Sequence, residues 1–171
     1  MNSKARMILF VEDDSKDAEL ALAALVKYNS AARVAFVRDG EEALDYLHYR
    51  GKFKTRSGGT PGVVVIDLKM PKMDGLELVK RIRAEEKLKL IPIVVFSSSR
   101  AESDLTECYQ NGINAYVVKP LGFQEFMDAV RGLATFWASI NEPPPNGGTE
   151  KVGIQMVTSN EIPAPHPAFG G

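Results

Sequence analysis

Five short apolar runs, rich in Val and Ile and free of polar alternation, set the tightest limit on how this chain folds. They cover residues 7–11, 34–37, 63–66, 91–96 and 115–118. A strand that reads as continuous hydrophobic sequence is covered on both faces, as in a parallel sheet flanked by helices. The runs recur at intervals of roughly 24–30 residues, which suits one strand plus a crossover helix. Five such units with right-handed crossovers predict a doubly wound α/β domain with helices on both faces of the sheet. By analogy, the flavodoxin-like strand order 2-1-3-4-5 is the expected arrangement, with ligands at the carboxyl ends of the strands.

The intervening segments carry helical periodicity. Leu20, Ala21, Ala24, Leu25 and Tyr28 mark a first helix over 18–28, with Ser15 as its expected cap. Asp39 followed by Glu42 reads as a capping box ahead of Ala43, Leu44 and Leu47. Leu76, Val79 and Ile82 form a stripe ending near Arg83, and residues 102–110 read as a helix stopped by Asn111-Gly112. Phe123, Phe126, Val130, Leu133, Trp137 and Ile140 step by three and four along a long last helix. Core packing accounts for these stripes; Phe136 lies off its stripe and offers a surface for a partner.

From residue 143 the composition changes: residues 143–171 hold six of the ten prolines and five of the fourteen glycines. The sequence therefore divides into a domain over 1–142 and a Pro/Gly-rich tail over 143–171, read as flexible or as a dimer arm. Its mildly apolar segment 152–157 could add to a sheet edge. The tail is too short and too polar to hold a helix-turn-helix output module, so no DNA-binding domain is expected. A net charge of −1 argues against a chain devoted to gripping phosphate backbones. Cys108 is the only cysteine, which rules out an intrachain disulfide and a multi-cysteine zinc site. The apolar run after Arg6 is shorter than a signal-peptide core, and no run approaches the roughly 20 residues of a membrane span. A cytoplasmic protein is expected.

Chemistry gathers at the strand ends. The first run ends in Glu12-Asp13-Asp14, the third in Asp67, the fourth in Ser97-Ser98-Ser99 and the fifth in Lys119-Pro120. In a parallel sheet these four ends share one edge. Carboxylates crowded together repel one another and stay ionised only around a cation. Hard oxygen ligands without nearby Cys or His favour Mg²⁺ or Mn²⁺ over zinc. A metal, a lysine and an accessible carboxylate together are equipment for phosphoryl transfer to Asp.

The runs Val11-Glu12-Asp13-Asp14, Ile66-Asp67-Leu68-Lys69-Met70-Pro71-Lys72-Met73-Asp74-Gly75 and Tyr116-Val117-Val118-Lys119-Pro120 resemble the receiver domains of two-component response regulators, over about residues 6–137. The long insertion before the third strand and the stretch from Phe136 to Pro145 are similar to single-domain regulators that partner phytochrome histidine kinases. The resemblance implies a function: Mg-dependent acceptance of a phosphoryl group from a histidine kinase onto Asp67, signalled onward by protein contacts. It also implies roles. Asp13 and Asp67 would ligate Mg²⁺ (or Mn²⁺), with Glu12 acting through water and the Lys69 backbone carbonyl as a further ligand. Lys119 and Ser97 would contact the phosphoryl oxygens, Tyr116 would swing with Ser97, and Pro120 would follow a cis bond. A homodimer through helix 4, strand 5 and helix 5 is the expected assembly. Such a protein is not an enzyme beyond its self-catalysed phosphotransfer and autodephosphorylation. The alternatives are a dimerisation scaffold that is never phosphorylated and an Asp-based phosphatase. The phosphatase reading wants Asp-x-Asp, whereas Lys69 stands at the second position after Asp67.

The alternating cations Arg50, Lys52, Lys54 and Arg56 around Phe53 are expected in a solvated loop at the far end of the sheet. Neither His48 nor His166 has the context of a phosphodonor.

Overall fold

The computed structural model describes residues 6–28 and 32–145. Five parallel strands, β1 (Met7–Val11), β2 (Arg33–Val37), β3 (Val63–Ile66), β4 (Ile93–Ser97) and β5 (Ala115–Val118), form one sheet in the order β2-β1-β3-β4-β5. The helices are α1 (Ser15–Lys27), α2 (Gly40–Leu47), α3 (Gly75–Ala84), α4 (Glu102–Gln110) and α5 (Phe123–Thr135).

The unbroken apolar runs have a simple cause. Leu9, Val11, Val64, Ile66, Ile93 and Val95 face a core shared with α2, α3 and α4. Ile8, Phe10, Val63, Val65, Val94 and Phe96 face a second core under α1 and α5. Side chains alternate across a strand, so covering both faces requires apolar residues at every position. The helices commit themselves unequally. The α1, α2 and α5 helices each bury five residues and α3 buries four, but α4 buries Cys108 alone. No helix among the described residues is long and apolar enough to cross a membrane.

Several boundaries differ from the sequence reading. The ladder of β4 starts at Ile93 rather than 91, because Pro92 has no N–H to give and offers only its carbonyl, which accepts from Val64. Asp14, not Ser15, caps α1: its carboxylate accepts from the N–H of Lys16 (2.8 Å) and of Asp17 (3.2 Å). Asp39 does cap α2 through the N–H of Glu42, but Glu42 reaches back to the N–H of Arg38, one residue further out than in a capping box. Beyond Thr135 the last helix widens into a π turn, Phe136–Ile140, closed by the Asn141 N–H on the Phe136 carbonyl. That shift of phase leaves Ile140 exposed, and Phe123, at the helix start, is exposed too.

The cationic loop is not simply solvated. Phe53 is buried edge-on against Tyr46. The Arg56 guanidinium lies over the rings of Tyr46 (4.1 Å) and Tyr49 (3.7 Å) and donates to the carbonyls of Tyr46 and Gly59. Lys52 pairs with Glu42 and Arg50 with Asp45, so the loop folds back along α2. His48 pairs with Glu85. The apolar tail segment 152–157 and His166 lie outside the described residues.

Candidate functional site

The site residues stand one step past the strands, and the sheet's own hydrogen bonding carries on into them. The N–H of Glu12 donates to Val37, that of Asp67 to Val11 and that of Lys119 to Ser97. Because Val11 is in register with Ile66 and Ser97 with Val118, the side chains of Glu12, Asp67 and Lys119 meet at one edge. The sequence reading required this convergence.

The turn after Asp67 is held by close backbone packing. A Cβ on Gly75 would fall 2.3 Å from the Asp67 carbonyl oxygen, so only glycine lets the start of α3 press against the acceptor's own backbone. The Gly75 N–H donates to the Leu68 carbonyl, Asp74 caps α3, and Lys72 takes a left-handed conformation (φ 65°) to complete the turn.

Oxygens of Glu12, Asp13 and Asp67 lie within 4.8 Å of one another. Glu12 is buried and Asp13 exposed. The Lys119 ammonium, also buried, donates to Glu12 (2.5 Å), Asp17 (2.8 Å) and Asp67 (3.2 Å). Burial pushes the Glu12 carboxyl up to about 9; Lys119 pulls it back and Asp67 adds to the rise. Asp13 is raised as well, first by burial and then by Asp67. Burial alone would lower Lys119, but Glu12, Asp17 and Asp67 outweigh it and hold the amine cationic. One oxygen of Glu12, Oε2, is buried without any hydrogen-bond partner. An all-oxygen set with surplus negative charge and an orphaned carboxylate oxygen fits a hard divalent cation, or a water held by one.

Ser97 is fully buried, and its Oγ accepts from the Ser99 N–H (3.3 Å). The Tyr116 hydroxyl donates to the Ser99 carbonyl (3.0 Å), which turns this half-buried ring toward the β4–α4 loop. The Lys69 side chain is exposed, while its backbone N–H lies 3.4 Å from Asp67 Oδ1. Asp14, grouped with the acid cluster by position in the sequence, is occupied with capping α1. Pro120 does not follow a cis bond: no cis peptide occurs among the described residues, so Lys119–Pro120 is trans. Trans is the lower-energy form by default even before proline.

Two groups escaped the sequence reading. Asp17 places its carboxylate on Lys119; its one signal is a position in the first turn of α1, three residues after the cap. Asp104 accepts a short hydrogen bond from the Ser99 hydroxyl, 2.5 Å, and so ties the β4–α4 loop to the first turn of α4.

Residues 8–131 match the response regulator receiver domain. The probable methanogenesis regulatory protein FilR2 of Methanothrix harundinacea is 36% identical over 140 residues, covering 81% of this chain and 87% of that protein. The phosphorylated cyanobacterial phytochrome response regulator RcpA superposes with a TM-score of 0.75 at 34% identity, covering 82% of this chain and 99% of that one. The Mn²⁺-bound form of response regulator Rcp1, a Synechocystis protein, gives a TM-score of 0.74 at 29% identity, covering 81% and 99%.

Proposed function

The chain belongs to the response regulator receiver domain family, and from that premise we propose that it accepts a phosphoryl group from a histidine kinase onto Asp67 in an Mg²⁺-dependent reaction. One observation carries the reading: a buried ammonium 3.2 Å from the Asp67 carboxylate, beside acids whose oxygens cluster within 4.8 Å. Asp13 and Asp67 would hold the divalent ion, with Glu12 acting through water and the Lys69 carbonyl completing the protein ligands. The ion supplies charge neutralisation that lets an anionic donor approach an anionic acceptor.

The remaining work falls to this chain's own residues. An Asp67 carboxylate oxygen attacks phosphorus; the new P–O bond forms as the P–N bond of a phosphohistidine breaks. The imidazole leaves with that bonding pair, and the proton it carries on its other nitrogen keeps it neutral. Lys119 holds negative charge on the transferred oxygens. Ser97 gives up its contact with the Ser99 N–H and donates its hydroxyl proton to the phosphoryl group. Because Tyr116 is bonded to the carbonyl of Ser99, moving that loop releases or recaptures the ring. These contacts exist in one state and not in the other, which is what shifts the equilibrium.

The output is protein contact, with a homodimer through α4, β5 and α5. The likeness to the cyanobacterial phytochrome regulator supports a phytochrome-type kinase as donor, in the cytoplasm. Incubation with Mg²⁺ and acetyl phosphate followed by intact mass tests the core of the proposal: the wild type gains one phosphoryl mass and Asp67→Asn gains none. Equal uptake by the variant would refute it. Preference for a non-phytochrome kinase in a transfer panel would refute the narrower partner. Light scattering that shows a monomer both with and without phosphoryl donor would refute the dimer.

A further inference from the structure

We infer that Asp17 is a positioning residue for Lys119: it holds the amine while Glu12 and Asp67 are drawn away by a divalent ion. The inference rests on the phosphoryl-acceptor reading of Asp67. A lysine ammonium has three N–H donors and no acceptor. All three are used in this structure, by Glu12, Asp17 and Asp67. Two of those partners belong to the acid group that fits the ion, and Asp17 does not.

That division gives Asp17 a distinct task. When cation charge arrives at Glu12 and Asp67, their hold on the ammonium weakens, and two of its donors are released toward the acceptor oxygen and whatever is bonded to it. The bond to Asp17 persists. The amine then stays beside Asp67 instead of swinging to solvent on its four-carbon stem. The ammonium also lies over the Phe96 ring, 5.8 Å from its centroid. Asp17 is well placed to stay fixed. Its backbone N–H is bound by Asp14 in the α1 cap, and α1 buries five residues against the sheet.

The bland alternative is that Asp17 only serves α1, as an acid in the first turn facing the positive end of the helix. The two roles separate in a double-mutant cycle, because a helix-terminus effect does not depend on Lys119. Phosphoryl uptake from acetyl phosphate is followed by intact mass at saturating Mg²⁺, in the full chain. Asp17→Asn should slow uptake on the order of tenfold, the scale of one charge-assisted hydrogen bond. Asp17→Glu, which keeps the charge and can still reach the amine, should recover most of the rate. In a Lys119→Met background, Asp17→Asn should cause no further loss. An Asp17→Asn protein as fast as wild type, or an equal loss with and without Lys119, would overturn the inference while leaving Asp67 as acceptor intact. Failure of the wild type itself to take up phosphoryl would instead overturn the reading beneath it, and this inference with it.

Discussion

Replacing Glu12 by Gln should make the metal-free protein more stable and at the same time weaken its response to divalent ions. Glu12 is 8% exposed, its Oε2 is buried without a partner, and its carboxyl is pushed from 4.5 up to about 9. A carboxyl raised in this way stabilises the fold fully only below its unfolded value. That contribution drains away as the pH climbs from about 4.5 toward about 9. At pH 7 the interval above 4.5 sets a ceiling of about 3 kcal/mol. Glutamine removes that penalty while keeping a neutral acceptor oxygen for Lys119, and repacking of the amide takes back part of the gain. We therefore expect a net gain of about 1–2 kcal/mol, or roughly 2–8 °C in Tm for a domain of this size. The assay is thermal melting in EDTA at several pH values. The gap between variant and wild type should be near zero around pH 4.5 and widen steadily to pH 8.5. Adding Mg²⁺ at ten times its dissociation constant should raise the wild type by about 1.4 kcal/mol and close much of the gap from below, while the variant moves little. A variant that melts at or below wild type in EDTA at pH 8, or a gap that does not change with pH, would show that burial of Glu12 is not the strain assigned to it.

Three further outcomes follow from the packing. Gly75→Ala should cost about 1–3 kcal/mol by chemical denaturation and slow phosphoryl uptake, since the added methyl strikes the Asp67 carbonyl; a wild-type Tm together with a wild-type uptake rate would contradict the close approach. The thiol of Cys108, buried and pushed up to about 11 by burial and then by Asp104, Glu107 and Asp74, should resist iodoacetamide at pH 8 until denaturant opens the fold, and rapid labelling of the native protein would refute that. Arg83→Met should lower stability by about 2–4 kcal/mol, measured by urea unfolding, because the guanidinium joins the carbonyls of Gly112, Lys89 and Ile91 and the side chain of Asn114; a loss under 1 kcal/mol would mark these bonds as replaceable by water.

The strands were legible because two-sided burial leaves a mark that needs no partner information: every residue of Val63–Ile66 has to be apolar; their order came from analogy with other doubly wound sheets. Convergence of Glu12, Asp67 and Lys119 followed from parallelism alone. The role of Asp17 did not, since nothing in a local window says which way a helix's first turn faces the sheet. Asp14 was grouped with the acids at the end of the first strand, because sequence proximity does not distinguish a carboxylate aimed at the site from one turned back on two N–H groups. The loop around Arg56 misled for another reason. Cations among glycines and serines look solvated, and the tyrosine rings that stack on Arg56 come from α2 (Tyr46) and the turn just after it (Tyr49), up to ten residues earlier. Pro120 shows the limit of carrying a family habit onto one chain, because the isomer of a single bond has no sequence signature.

A helix that inserts one cysteine into the core has little to lose by shifting. With Cys108 as its sole deep anchor, α4 can slide or tilt while its neighbours keep their packing, and its amides should exchange with solvent sooner than those of the other helices. The acid cluster thus rests on strands buried along their whole length, while the wall beside it is the one most free to move.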